Sequence, residues 1–161
     1  MTASTSGQTA LRRGSLALAL ALILQYGFGM YVSIYITLPK DYQGVGLGKA
    51  FADAMSKGPG SLALHTGFGL ILLAVSVGLL LRALLSGHLV VLVSSSIALL
   101  AIVGAAFSGA NFVNTTQDSA SLTMALLTAL ALLCTIVNLY VLGGSAVRPA
   151  QAAEAESGSL V

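Results

Sequence analysis

The sequence predicts an all-α fold, an integral membrane antiparallel four-transmembrane-helix bundle, on three observations. Hydrophobic residues make up 57% of the chain and charged residues 7%, where a soluble globular chain carries about a quarter charged. Four apolar stretches follow one another, at about 15–38, 61–84, 89–112 and 120–142, each reaching the roughly 20 helical residues needed to cross a hydrocarbon core of ~30 Å. The connections after the second and third stretches are only a few residues long, so neighbouring helices run antiparallel.

The same composition excludes other classes. Seven scattered Lys and Arg residues and a formal charge of +2 give no basic face for nucleic acid. A lone cysteine, Cys134, excludes an intramolecular disulfide. The mean hydropathy of +0.95 makes the lipid bilayer the first expected partner and the cell membrane the expected location.

Residues 1–14, rich in Ser, Thr and Gly, read as a flexible tail ending in Arg12 and Arg13. The first span then runs from Ser15 to Leu38. Arg-Arg followed by LALALALIL resembles the opening of a signal peptide, but the apolar run is too long and no small-residue cleavage site follows promptly. A retained helix is expected, ended by Pro39.

Between 39 and 60 lies the longest loop, with three lysines and two aspartates. Leu47, Phe51 and Met55 recur every four residues there, and Lys49 and Asp53 stand at pairing distance on a helix. A short amphipathic helix on the membrane surface and an ordinary loop fit the pattern equally well. Gly58-Pro59-Gly60 starts the second span. Ser86-Gly87-His88 turns into the third span and Asn114–Asp118 into the fourth. Gly143-Gly144 is expected to stop the last helix, leaving 143–161 as a second flexible tail.

Orientation follows from the cations. Arg12, Arg13, Arg82 and Arg148 fall at the end that carries both termini, which places that end in the cytoplasm under the positive-inside rule. Tyr31, Tyr35 and Tyr42 then mark the outer interface and Tyr140 the inner one.

Helices in lipid associate through small and hydrogen-bonding residues, and each span carries one such stripe at 100° per residue. The second span offers Ser61, His65, Gly69, Ser76 and Ala83. The fourth offers Gln117, Ala120, Met124, Thr128, Ala131, Thr135 and Asn138. The third offers Ser94, Ala101, Gly104, Ser108 and Asn111, and the first Ser15, Ala19, Tyr26, Gly29, Met30, Ser33 and Thr37. Gln25 is expected to cross-link helices.

His65 is the one ring nitrogen donor inside a long apolar run. It and Met124 both face inward, ~7 Å below the outer surface, with Met30 at ~12 Å. An imidazole and a thioether at one depth are an established axial pair for haem iron, and Gly67 and Gly69 would let a flat macrocycle approach. The competing reading has His65 bonded to Asn111 or a helix carbonyl and Met124 filling space. His88 is ~34 Å from His65 along a helix and cannot share a ligand with it. The Asn114-Thr115-Thr116 sequon lies too close to the membrane to be read as a glycosylation site. The spans hold no carboxylate for coupled transport, and no nucleophile–base pair can be assembled, so an enzyme is not expected.

With its early His and long Gly/Leu/Val run, Leu64–Arg82 resembles the second helix of membrane b-type four-helix bundles, such as haem A synthase halves and transmembrane b-type cytochromes. The resemblance implies haem b, with His65 as one axial ligand. Those families place a second histidine on the opposite helix, where this chain has Met124. Over the second to fourth spans, including GAAFSGANFVNTTQDSASLTMALLTALALLCTIVNLYVL, the chain is similar to small uncharacterised four-helix membrane proteins of actinobacteria and related Gram-positive bacteria. That similarity implies a bacterial membrane protein without a known activity. Three functions follow as expectations: a haem-binding or redox-accessory bundle centred on His65 and Met124, a cofactor-free accessory subunit of a membrane complex, or a small transporter acting as a homo-oligomer.

Overall fold

A computed structural model describes the backbone of residues 5–158 and the side chains of residues 6–143. Among the described residues there are five α-helices: α1 (Thr5–Tyr35), α2 (Leu47–Ser56), α3 (Gly60–Ser86), α4 (Leu89–Thr115) and α5 (Asp118–Gly158), with a 3-10 turn at Lys40–Tyr42. Four stretches are long and apolar enough to cross a membrane: Ser6–Tyr35, Gly60–Ser86, Leu89–Thr115 and Asp118–Gly143. The all-α class and the four long helices are as the sequence predicts.

The long helices form a closed square. α1 packs on α3 and α5, and α4 packs on the same two, so α1 faces α4, and α3 faces α5, across the diagonals. The short links make this possible. Gly87, at φ +70, takes the left-handed conformation that ends α3 without the Cβ penalty other residues meet there. His88 then opens α4.

Seams of buried and half-buried residues close the square. On α1 the inward line is Leu11, Ser15, Leu18, Leu22, Gln25, Gly29 and Val32; on α3 it is Leu62, His65, Gly69, Leu72, Ser76, Leu79 and Ala83. Both advance in alternating steps of three and four, the 3.5-residue period of left-handed bundles. Toward the end opposite the cap Ser94 Oγ donates to Asn138 Oδ1, and Asn138 Nδ2 donates to Ser95 Oγ at 3.0 Å. This satisfied network clamps α4 to α5.

The loop end is capped by α2, so of the two sequence readings the helix is the one found. It buries Ala50, Asp53 and Ala54 against α3 and α4 and leaves Leu47 and Met55 exposed. Asp53 is paired with Lys49 at 2.5 Å and with Lys57 at 2.8 Å. These two ammonium groups hold its carboxyl below the ordinary aspartate range. Gly44 N and Gly46 N donate to the backbone oxygen and to Oδ1 of Asn114, each at 3.0 Å, which pins the loop to the end of α4. Gly46 needs its φ of +88 to point its amide there.

Several expectations are corrected. α1 begins at Thr5 and ends at Tyr35, so residues 5–14 are helix rather than tail; residues 1–4 lie outside the described residues. Leu11 extends the inward seam and is buried, and Ala10, Leu11, Arg12 and Arg13 are all good helix formers. Gly143-Gly144 does not stop α5, whose backbone stays helical to Gly158; the Ala, Gln and Glu residues at 150–156 favour that state. Side chains from 144 on, Arg148 included, and residues 159–161 lie outside the described residues. On α1 the inward line passes through Gln25 rather than Tyr26 and Met30, which are 44% and 45% exposed. Small size and polarity alone misplaced that stripe by part of a turn. Tyr42 is buried against Val32, Ala50 and Ala54 instead of marking an interface, because the cap folds back over it.

Candidate functional site

Two packed layers leave a level between them. One apolar cluster fills the middle and the terminal end of the bundle, from Leu11, Leu18, Leu22 and Leu72 to Leu142. A second lies under the cap, with Val32, Tyr42, Ala50, Ala54, Leu62 and Val113. On each long helix the buried apolar residues break off at one height, between Leu22 and Val32, between Leu62 and Leu72, between Ile102 and Ala110, and between Ala120 and Ala131. The seams there carry Gln25 and Gly29, His65 and Gly69, Gly109, and Met124 and Thr128.

All of these residues line one cleft, with a cavity volume of about 120 Å³. Phe51 and Ala54 of α2 also line it, towards the cap. The cleft opens sideways past Tyr26, Met30 and Leu70, which line it and are also exposed on the bundle's outer surface. Its connection is therefore with the apolar exterior of the bundle.

His65 on α3 and Met124 on α5 stand on diagonally opposed helices, and both reach this cleft. Each rests against a glycine of a neighbouring helix. A Cβ built on Gly29 would lie 3.1 Å from Cε1 of His65, and one built on Gly109 would lie 3.1 Å from Sδ of Met124. The two glycines occupy the other diagonal, on α1 and α4. Any larger residue at either position would have to push its partner aside.

Two polar atoms here are buried without a hydrogen-bond partner among the described residues, Nδ1 of His65 and Oε1 of Gln25. Among the described residues no hydrogen bond joins His65 to Asn111; Thr115 Oγ1 donates to the Asn111 backbone oxygen at 2.8 Å. Gln25 does cross-link helices, donating from Nε2 to the backbone oxygen of His65 at 3.0 Å. At the rim Ser33 and Ser121 share a hydrogen bond of 3.2 Å between α1 and α5.

The structure thus brings His65 and Met124 to one cleft and leaves Met30 at its rim. His88 lies apart at the terminal end, its Nε2 3.0 Å from Nε2 of Gln8. The sequence reading missed Gln25 as a member of the site. The heptad step from Leu22 to Gln25 to Gly29 was the signal that could have placed it.

What the fold and cleft define is an all-α bundle with four helices long and apolar enough to span a bilayer, and one internal site of mixed polarity near its capped end. Compared with known protein families, with curated proteins and with solved structures, the chain matches none.

Proposed function

We propose that this is a small integral membrane protein that binds haem b, or serves as a redox-accessory bundle, with His65 and Met124 as axial ligands near the capped end. The observation that carries the reading is the diagonal pair, an imidazole and a thioether from opposed helices lining one cleft. The donor set suits haem iron, for which His/Met is an established axial pair. A macrocycle would need the open side of the cleft, lined by Tyr26, Met30 and Leu70, as well as its interior. Bound haem supplies one-electron chemistry. The chain's own part is to hold the two axial donors on rigid helices, to keep water out with the cap, and to surround the site with apolar residues that set its potential.

The test is titration of the detergent-solubilised protein with ferric haem, followed by absorbance. His65→Ala abolishes the bound-haem band, and Met124→Leu shifts or weakens it. A wild-type titration curve from His65→Ala contradicts the assignment.

The seating of His65 on Gly29 and of Met124 on Gly109 supports a second reading, a cofactor-free accessory subunit in which both side chains only fill space. Under it, His65→Leu folds at least as well as wild type and no haem binds. In either reading the partner is the bilayer, joined by a second copy of the chain or another membrane subunit, and both termini lie in the cytoplasm beside Arg12, Arg13 and Arg82.

A further inference from the structure

We infer that Gln25 is a positioning residue for His65: its amide oxygen accepts the proton of Nδ1, fixing the neutral Nδ1–H tautomer and leaving the Nε2 lone pair to the cleft. The inference deepens the haem reading but does not depend on it, because a tautomer exists with or without a ligand. It starts from Gly69. A Cβ there would lie 3.1 Å from Nε2 of Gln25, so the bare backbone at 69 is what lets the amide lie against α3. From that niche Nε2 donates to the backbone oxygen of His65 at 3.0 Å. The amide is thereby anchored by its nitrogen, and its oxygen is left buried with no donor.

The second orphan belongs to the same histidine. Nδ1 of His65 is buried and unpartnered, and the Nδ1–Cε1–Nε2 edge of the ring faces α1 at Gly29, with Cε1 closest. Gly29 is one helical turn from Gln25 on the same seam. An acceptor lacking a donor and a ring nitrogen lacking a partner thus come from two residues already bonded to each other. Leaving both unmet would carry the desolvation penalty of two buried polar atoms. The His χ2 torsion is broad, and the inference requires the ring to turn so that Nδ1–H meets Oε1. Histidines that ligate metals are commonly held this way, with the non-ligating N–H donated to an oxygen that fixes tautomer and ring orientation.

The experiment is nitrogen NMR of detergent-solubilised protein labelled at the histidine ring nitrogens, without added haem. His65 and His88 are the only two histidines, and His88→Gln assigns the spectrum. Wild type is expected to show His65 protonated at Nδ1 and bare at Nε2. Gln25→Leu loses that preference, and Gly69→Ala, which crowds the amide, loses it with Gln25 still present. Wild-type protein protonated at Nε2 overturns the inference, and so does a folded Gln25→Leu variant with an unchanged tautomer. A protein that binds no haem yet shows the Nδ1–H tautomer removes the haem reading and leaves the role of Gln25 standing.

Discussion

At the scale of single residues the site depends on what is missing from its walls. Gly29 and Gly109 leave room for an imidazole and a thioether that a methyl group would crowd. Gly29→Ala is expected to cost roughly 1–3 kcal/mol, the usual range for overpacking, and to weaken haem binding as His65 shifts. Unfolding in detergent measures the first effect and haem titration the second. Asn138 makes a useful contrast, since it clamps α4 to α5 through Ser94 and Ser95 and stands away from the cleft. Asn138→Leu is expected to lower stability by about 1 kcal/mol, in line with interhelical hydrogen bonds in membrane bundles, without changing haem affinity. Loss of haem from that variant at full stability would show that the site reaches further than the cleft. His65 and Met124 were legible from sequence because a histidine and a methionine stand out on small-residue stripes. Gln25 was legible only as a cross-link, since its orphaned oxygen depends on where a side chain of α3 lies.

At the scale of elements, the cap is the part whose stability should respond to pH. Asp53 is buried under two lysines, Lys49 and Lys57, with Gly58 packed so closely that a Cβ would run into the Ala54 carbonyl. The paired lysines lower the folded pKa of Asp53. Its contribution is therefore fully present above the unfolded aspartate value of about 3.9 and is lost as pH falls through the lower folded value. Hydrogen exchange over residues 47–56 is expected to stay slow from neutral pH down to about pH 4 and to quicken below it. Asp53→Ala removes the pH dependence and gives fast exchange throughout; slow exchange in that variant would mean that Ala50 and Ala54 hold the cap without the ion pairs. The Lys49–Asp53 pair and the recurrence at Leu47, Phe51 and Met55 signalled a helix. That Tyr42 would be folded under it depends on how the loop turns back between α1 and α2, and that Asn114 would take up the amides of Gly44 and Gly46 needed contacts between segments some 70 residues apart, which local pattern does not carry.

At the scale of the whole molecule, the bundle was legible because lipid demands long apolar helices with one inward stripe each, and composition, length and spacing express that directly. Where the helices end was less so. Leu11 shows α1 packing well before its apolar run begins, and α5 continues through two glycines because the chain beyond them favours helix. Orientation is testable at this scale: with Cys134 replaced by Ala, Lys40→Cys should react with an impermeant thiol reagent added to intact cells, and a tag on the N-terminus should be protected. The reverse pattern would invert the topology and put the cleft at the cytoplasmic end. The most direct measurement is the optical spectrum of the wild-type protein, purified in detergent from haem-replete cells and recorded oxidised and then reduced. The expected result is a Soret band that shifts on reduction, with haem near one per chain. Folded, pure protein with no Soret band would contradict the haem site and leave the diagonal pair as packing.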